Sequence, residues 1–260
     1  MPEGGKICPL CGGLGFIWTD KGVKRCKCAY EKFDVARYLN IPRRFRDAEL
    51  SNLRKVFSPD TISGIKYYLQ DFPKYYKDGI GLLLVGETGV GKTYAICAVL
   101  KYIYLKYRIR GYFVDTKELS IKLRESLAER RYASFIETLA KVPLLVLDDL
   151  GQEELTDWYK DVLVGLISTR YNEKRLTFFT TNLVPGFLAK EYNKVMNTKV
   201  YGFEVVKKDF QVPKKEKEQS LEGLELLEDR FGSHLVSRLA EMTYSVIVKG
   251  NDLRIKKVIV

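Results

Sequence analysis

The sequence contains no apolar run long enough to cross a membrane: no stretch reaches the ~18 consecutive apolar residues that a membrane-spanning helix needs. Its N-terminal residues, MPEGGKICPL, lack the apolar segment that follows the charges of a secretion signal. No internal repeat is present. These absences exclude the membrane-protein class and predict a cytoplasmic protein that does not act at a membrane.

Amide side chains are also scarce, with four glutamines and seven asparagines against 44 Lys plus Arg and 33 Asp plus Glu. This bias is seen in proteins from very hot habitats, so it predicts a thermophile host without indicating a function. The formal net charge of +11 favours a polyanionic partner such as nucleic acid. A lysine-rich solvated surface would give the same composition.

Composition divides the chain into a small N-terminal module with a basic linker, residues 1–40, and a larger domain, residues 41–260. A helix is predicted over 60–77. Beyond it, the strands GLLLV, YFVD, LLVLDD and LTFFTTN alternate with amphipathic helices, including one over 157–172. This alternation indicates an α/β fold with a parallel sheet between helices. Residues 184–220 interrupt the rhythm and are predicted to form an insertion that ends in a solvated loop.

Four of the five cysteines lie in the N-terminal module, as a C-x-x-C pair (Cys8, Cys11) and a C-x-C pair (Cys26, Cys28). Two close thiolate pairs joined by a loop form a tetrahedral Zn²⁺ site, which would staple a module too small to bury a core unaided. Disulfides are the alternative, and a cytoplasmic compartment disfavours them. The fifth cysteine, Cys97, falls inside a predicted helix and is interpreted as a core residue.

The segment GETGVGKT, residues 86–93, follows an apolar strand and opens a helix, which is the context of a phosphate-binding loop. Glycines let the backbone N–H groups turn toward phosphate oxygens, and the helix N-terminus adds a favourable dipole. Lys92 is predicted to neutralise the β- and γ-phosphates, and the Thr93 hydroxyl to ligate Mg²⁺. The predicted nucleotide-binding residues of the loop are Gly86, Glu87, Thr88, Gly89, Val90, Gly91, Lys92 and Thr93.

Polar side chains end two further strands. The strand LLVLDD delivers Asp148, which is predicted to hold the Mg²⁺ shell, and Asp149, which is predicted to orient and activate the attacking water. Adjacent acids could instead cap the next helix. The strand LTFFTTN ends in Asn182, an amide able to bond both a γ-phosphate and a water, although a plain turn residue is the alternative.

The helix RFGSHLVSRLAEM carries Arg238 near the C-terminal end of the chain. Leu239 and Met242 fall at helical spacing and face a core, so Arg238 is predicted to point elsewhere, toward an anionic partner. A surface ion pair with Glu241 or Glu228 is the alternative.

The order of phosphate loop, acidic strand, polar strand end and arginine helix resembles the AAA+ ATPases. The segments NIPRRFRDAEL, GLLLVGETGVGKT, LLVLDDLGQEE, LISTRYNEKRLTFFTTNL and RFGSHLVSRLAEM, in that order, are similar to the DnaC/DnaI replicative helicase loaders and the related IstB transposition ATPases. The resemblance implies an ATP-dependent, Mg²⁺-requiring ATPase that assembles with itself and loads the replicative hexameric DNA helicase. It also implies that Arg238 completes the ATP site of a neighbouring subunit.

The resemblance leaves alternatives open. An IstB-type helper would act on duplex DNA for a transposase, and a zinc-stapled nucleic-acid adaptor would bind ATP but barely hydrolyse it. In the loader family, helices between the second and third strands face single-stranded DNA. The matching segment here, TKELSIKLRESLAERRYASF, mixes acids with Lys117, Lys122, Arg124, Arg130 and Arg131.

The resemblance further implies that the zinc module binds the client protein. Direct nucleic-acid contact is the alternative for that module, through Lys21, Lys24, Arg25 and Lys27. A late basic residue near the nucleotide would correspond to Arg254.

Overall fold

A computed structural model describes residues 16–19, 22–25, 34–54, 57–197, 224–250 and 252–253 of the chain. Near the N-terminus, strand β1 (Phe16–Thr19) pairs antiparallel with strand β2 (Gly22–Arg25). The four cysteines predicted to bind zinc lie outside the described residues, so the zinc module and the domain boundary at residue 40 stay predictions.

Four short helices and one 3₁₀ turn precede the main sheet: α1 (Val35–Tyr38), the turn Arg43–Phe45, α2 (Leu50–Leu53), α3 (Pro59–Gln70) and α4 (Phe72–Asp78). The single helix predicted over 60–77 is therefore two helices. Pro73 explains the break, because it has no N–H to bond the carbonyl four residues back and its ring clashes with that turn.

Five parallel strands form the main sheet in the order β4-β5-β6-β3-β7. Their bounds are β3 Gly81–Val85, β4 Gly111–Asp115, β5 Leu144–Asp148, β6 Leu176–Thr181 and β7 Thr243–Ile247. The predicted α/β fold with a parallel sheet between helices is confirmed. Because the strands are parallel, the carboxyl ends of β3, β5 and β6 meet at one edge of the sheet.

Helices cover both faces of this sheet: α5 (Lys92–Tyr107), α6 (Thr116–Ala128), α7 (Tyr132–Lys141), α8 (Asp157–Asn172), α9 (Ala189–Asn197), α10 (Leu227–Phe231) and α11 (Ser233–Met242). Alternate residues of each strand enter two separate cores, as Leu82 and Leu83 do. One core holds α3 and α5, with Cys97 fully buried in it, and the other holds α6 to α11. Among the described helices, none has the length and apolar content that a bilayer crossing requires.

Residues of the predicted linker cover the exposed edge of β4. The N–H of Phe113 donates to the Leu39 carbonyl at 2.9 Å, and the Asn40 side chain donates to the Phe113 carbonyl at 2.8 Å. Ala36 and Leu39 are buried in the first core. These two bonds satisfy the main-chain groups of Phe113 that face outward from the edge strand.

The first part of the predicted insertion is packed and not solvated. Residues 189–197 form α9, and the buried residues Val184, Leu188 and Tyr192 join the second core. Val184 also bridges to Leu226, just before α10. Residues 198–223 lie outside the described part of the chain.

The C-terminal strand β7 lies parallel to β3, with Gly81 to Val85 opposite Thr243 to Ile247. Strand β7 thereby extends the main sheet next to the strand that precedes the phosphate loop. Residues 254–260 fall outside the described ranges.

Arg170 on α8 is fully buried, with no acidic partner among the described residues. Its guanidinium donates to the carbonyls of Leu139, Ala140 and Val142 at the end of α7, and to the Leu176 carbonyl and the Thr177 hydroxyl of β6. Burial lowers its pKa to about 9. Arg170 thus joins three elements of the second core and satisfies carbonyls that the end of a helix leaves open.

Candidate functional site

The phosphate loop connects β3 to α5, and its strained backbone requires glycine. Gly89 and Gly91 have φ of +85° and +96°, a region that side chains with a Cβ rarely adopt. A Cβ at Gly86 would lie 2.2 Å from the Val248 carbonyl oxygen. The backbone conformation at Gly89 and Gly91 and the close approach at Gly86 thus explain why glycine is present at these three positions.

Lys92 begins α5 and is only 5% exposed. Its Nζ donates to the carbonyl oxygens of Gly86 and Glu87, both at 2.8 Å. These two bonds hold the ammonium inside the curve of the loop. A phosphate group in the loop would meet this charge together with the N–H groups at the start of α5.

The segment after β7 packs against the phosphate loop. The N–H of Leu253 donates to the Gly89 carbonyl at 3.1 Å, and a Cβ at Gly89 would lie 2.1 Å from the Asp252 carboxylate. Lys249 donates to the carbonyls of Val195 and Met196 at the end of α9, at 2.9 and 3.0 Å. Arg254, which the resemblance places near the nucleotide, lies just beyond the described residues.

Asp148, at the end of β5, bonds to side chains from two other elements. Thr93 Oγ1 donates to its Oδ2 at 3.0 Å, and Thr180 Oγ1 donates to its Oδ1 at 2.6 Å. The carboxylate is 3% exposed. The structure thus brings together the two residues predicted to hold Mg²⁺, Thr93 and Asp148, and adds Thr180, which the sequence analysis did not single out.

Burial and, to a smaller extent, the negative charge of Asp149 raise the pKa of Asp148 to about 7, against the opposing effect of hydrogen bonds from Thr180 and Thr93. A carboxylate that is costly to ionise gains from a nearby cation, which stabilises the charged form. The donor set therefore fits a divalent metal ion.

A third carboxylate, Asp115, joins this site. Asp115 lies opposite Asp148 in the sheet register, and one carboxylate oxygen from each of Asp115, Asp148 and Asp149 lies within 4.8 Å of the others. Carboxylate oxygens are the ligands that Mg²⁺ prefers. Asp115 is not among the residues predicted from the sequence, although its place at the end of the strand YFVD was a usable signal. Asp115 also caps α6 by accepting from the N–H groups of Lys117 and Glu118.

Asp149 follows β5 in the left-handed region, at φ +56°. Its N–H donates to Thr180 Oγ1 at 2.9 Å, and its carbonyl accepts from Thr116 Oγ1 at 3.0 Å. Residues other than glycine are uncommon in this conformation, and where they occur they cluster at functional sites. The backbone bonds fix the direction in which the Asp149 side chain leaves the sheet.

Asn182 follows β6, whose neighbours in the sheet are β5 and β3. Its Oδ1 is buried and has no hydrogen-bond partner among the described residues. An unpaired buried carbonyl oxygen is costly, so it favours a donor such as a water molecule. This agrees with its predicted role in bonding a water near the γ-phosphate, which stays a prediction.

Arg238 lies on α11 and is partly buried, with its Nη1 donating to Ser168 Oγ of α8 at 2.7 Å. Within the described residues it forms no ion pair with Glu241 or Glu228. Glu241 accepts instead from the Tyr171 hydroxyl. The hydrogen bond to Ser168 thus joins Arg238 to α8 of its own subunit.

The predicted single-stranded DNA residues lie on α6 and the turn after it. Lys117 and Arg124 are exposed, whereas Lys122 pairs with Glu118 at 2.7 Å. Arg131 pairs with Glu129. Ion pairing thus neutralises part of this surface. In the N-terminal module, the structure describes the side chain of one of the four predicted basic contacts, Lys24, and it is exposed.

The chain is similar to known ATP-binding proteins, in agreement with the phosphate loop described above. The family described as "IstB-like ATP binding protein" matches residues 73–197. The replicative helicase loader DnaI of Bacillus subtilis is 30% identical over 129 residues, which are 48% of this chain and 41% of that protein. An insertion-sequence ATP-binding protein of Pseudomonas fluorescens is 33% identical over 102 residues, 39% of this chain and 43% of that protein. The matches thus cover less than half of these relatives.

Two crystal structures of helicase loaders share the fold. The DnaC helicase loader superposes with a TM-score of 0.58 and 30% identity over 80% of this chain and 100% of that chain. DnaI superposes with a TM-score of 0.58 and 23% identity over 80% of this chain and 95% of that chain. With the phosphate loop and the acidic end of β5 in place, the chain belongs to the IstB-like DnaC/DnaI family of AAA+ ATP-binding proteins.

Proposed function

We propose that this protein is an ATP-dependent loader of the replicative DNA helicase. The observation that carries the proposal is the likeness to the DnaC helicase loader over the full length of that structure, at 30% identity, together with the phosphate loop.

ATP binds with its phosphates in the loop 86–93. Lys92, held by the carbonyls of Gly86 and Glu87, neutralises the β- and γ-phosphates. Thr93 and Asp148 would hold Mg²⁺, which would supply neutralisation of the phosphate charge when bound. Asp115 is the additional carboxylate available to this shell.

Hydrolysis divides between two subunits. Asp149 orients and deprotonates the attacking water, and Asn182 hydrogen-bonds that water near the γ-phosphate. Arg238 of a neighbouring subunit stabilises the charge on the γ-phosphate, so hydrolysis requires self-assembly. The absence of an acidic partner for Arg238 among the described residues supports this role, because the guanidinium has its charge available for an anion from another chain.

Two further surfaces serve the partners. Lys117, Arg124 and their basic neighbours on α6 contact the backbone of single-stranded DNA. The four cysteines of the N-terminal module, Cys8, Cys11, Cys26 and Cys28, hold Zn²⁺, and the part of the module that they staple docks on the helicase. The net charge of +11 agrees with a nucleic-acid partner for the assembly.

The second candidate function is that of a transposition helper acting on duplex DNA. It is favoured by the family match over residues 73–197, which includes the phosphate loop, and by the similarity to an insertion-sequence ATP-binding protein. Both functions use the site described above, so they differ in client protein and in the form of DNA.

The experiment that separates them is co-migration of the purified full chain with the replicative hexameric helicase of its host, with and without ATP. The matched variant Cys26→Ser removes one predicted zinc ligand, and Cys97→Ser, a substitution in the core, is its control. A loader co-migrates with the helicase in an ATP-dependent manner, and Cys26→Ser weakens that association while Cys97→Ser does not.

Binding of a single-stranded and a duplex oligonucleotide is measured on the same samples. Failure to bind the helicase, combined with ATP-dependent binding of duplex DNA, would replace the loader by the transposition helper. DNA binding that is equally strong with Lys92→Ala and without nucleotide would point to an adaptor that does not use ATP.

A further inference from the structure

Glu153 is a buried carboxylate near the candidate site. It has no role in ATP binding or hydrolysis as proposed above. It is 2% exposed, and its Oε2 accepts from the Thr116 hydroxyl at 2.8 Å and from the Gly151 N–H at 2.9 Å. Its Oε1 is buried with no hydrogen-bond partner in the described chain. A buried charged group with one oxygen unsatisfied is costly, so its presence here calls for an explanation.

Thr116 connects Glu153 to the predicted catalytic residue Asp149. The Thr116 Oγ1 lies 2.8 Å from Glu153 Oε2 and 3.0 Å from the Asp149 carbonyl oxygen. A hydroxyl carries one hydrogen, so it donates to only one of these two acceptors at a time. The backbone of Asp149, held at φ +56°, therefore competes with the Glu153 carboxylate for one hydrogen bond.

Arg230 contacts Glu153 from the other side. It belongs to α10, and its Nη2 donates to the main-chain carbonyl of Glu153. Its Nε is buried without a partner among the described residues, and its side chain forms no ion pair with the Glu153 carboxylate. Each side chain thus holds one unpaired buried atom, a donor on Arg230 and an acceptor on Glu153.

Arg230 stands two residues before α11, the helix that carries Arg238. Only Phe231, buried in the second core, and Gly232, at φ +80°, separate Arg230 from the first residue of α11. Polar contacts therefore run within one subunit from the Asp149 carbonyl to Thr116, from Thr116 to the Glu153 carboxylate, and from the Glu153 main-chain carbonyl to Arg230. They end at the base of the helix that bears the predicted trans-acting arginine.

We infer that Glu153 and Arg230 are positioning residues that couple the ATP site of a subunit to the arginine helix of the same subunit. The inference rests on the proposed ATP hydrolysis with Arg238 acting in trans. The observed arrangement has Arg230 on the Glu153 main-chain carbonyl. In the second arrangement, which belongs to the inference, Arg230 Nε donates to Glu153 Oε1 and so satisfies both unpaired atoms. A carboxylate that rotates toward Arg230 in this way would release the Thr116 hydrogen to the Asp149 carbonyl.

The test uses full-length Arg230→Gln and Glu153→Gln, each alone and mixed with Arg238→Ala. The reference mixture is Asp149→Asn with Arg238→Ala, in which one subunit supplies the arginine and the other an intact site. Either positioning variant alone is expected to lower kcat about tenfold with KM for ATP nearly unchanged, since the loop 86–93 is untouched. Mixed with Arg238→Ala, either variant is expected to restore much less ATPase activity than Asp149→Asn does.

Equal restoration by Arg230→Gln and Asp149→Asn would overturn the inference, because the arginine helix would then act independently of Arg230. An inactive reference mixture would instead refute the trans role of Arg238 and the proposed hydrolysis. Arg230→Lys, which keeps the charge, and Arg175→Gln, which removes an arginine that lies elsewhere, are the matched controls. Thermal unfolding and ATP affinity of each variant identify any that fails to fold, and Glu153→Gln then carries the test.

Discussion

Thr93 and Asp148 are joined by a hydrogen bond of 3.0 Å between Oγ1 and Oδ2, although 55 residues separate them in the chain. One residue lies in the first turn of α5 and the other ends β5. The bond joins the phosphate loop to the acidic strand, so the fold of one subunit brings together the two residues proposed to bind the metal ion.

Replacing Lys92 by alanine is expected to weaken ATP binding at least about tenfold, because a charge-assisted contact to the phosphates is lost. Titration of a fluorescent ATP analogue measures the affinity. Lys101→Ala, on the same helix but bonded to the Arg46 carbonyl, is the control and should bind normally. Unchanged affinity in Lys92→Ala would remove the phosphate site from this loop.

The pKa of Asp148, raised by burial to about 7, predicts how stability depends on pH. Its ordinary value is ~3.9, so between about pH 4 and pH 7 the folded state binds more protons than the unfolded state. The metal-free protein should therefore lose stability as the pH rises through this range. Asp148→Asn should remove that part of the slope, and Mg²⁺ should stabilise the unchanged protein most above pH 7. Thermal unfolding with and without Mg²⁺ measures both effects, and identical slopes for the two proteins would contradict the assignment.

Replacing Arg238 by alanine should leave ATP binding within about twofold and lower kcat by roughly a thousandfold, the effect of removing an arginine that stabilises the transferring phosphate. Ser168→Ala removes the partner of Arg238 within the chain and keeps the arginine, so it should retain activity. Steady-state ATPase assays with single-stranded DNA present compare the two. Loss of activity in Ser168→Ala equal to that in Arg238→Ala would indicate a role within the subunit.

Replacing Arg170 by methionine should destabilise the fold by about 3 kcal/mol or more, since several buried carbonyls lose their donor. Arg175→Met is the control, because Arg175 donates to the Lys141 carbonyl in an exposed position. Chemical unfolding gives the free energies. Equal losses of unfolding free energy in the two variants would show that the buried hydrogen bonds of Arg170 do not stabilise the fold.

Metal analysis of protein purified without chelator is expected to find one zinc per chain, held by the four N-terminal cysteines. Cys8→Ser should lose most of the zinc. Cys97→Ser should retain it, because Cys97 lies on α5 and is buried in the first core. A zinc content near zero in the unchanged protein, with no free thiols at these four positions, would replace the metal site by disulfides.

Local sequence was enough to predict most of the architecture, because its signals are periodic and short-ranged. Strands β3 to β6 and helix α8 lie where apolar runs and helical spacing indicate them. Each error in the predicted architecture traces to the effect of a few individual residues. Pro73 divides the helix predicted over 60–77, and apolar residues at 184, 188 and 192 pull the start of the predicted insertion into the core.

The sequence by itself determined the phosphate loop, since glycine spacing, lysine and threonine are fixed by the chemistry of a phosphate group. Only the tertiary structure decided which side chains meet that loop. Asp115 and Thr180 reach Asp148 through strand register, and Arg230 reaches Glu153 across 77 residues of chain. Such contacts depend on which strands become neighbours and on which helices cover them. Those choices follow from packing of the whole chain, and no short stretch of sequence contains them.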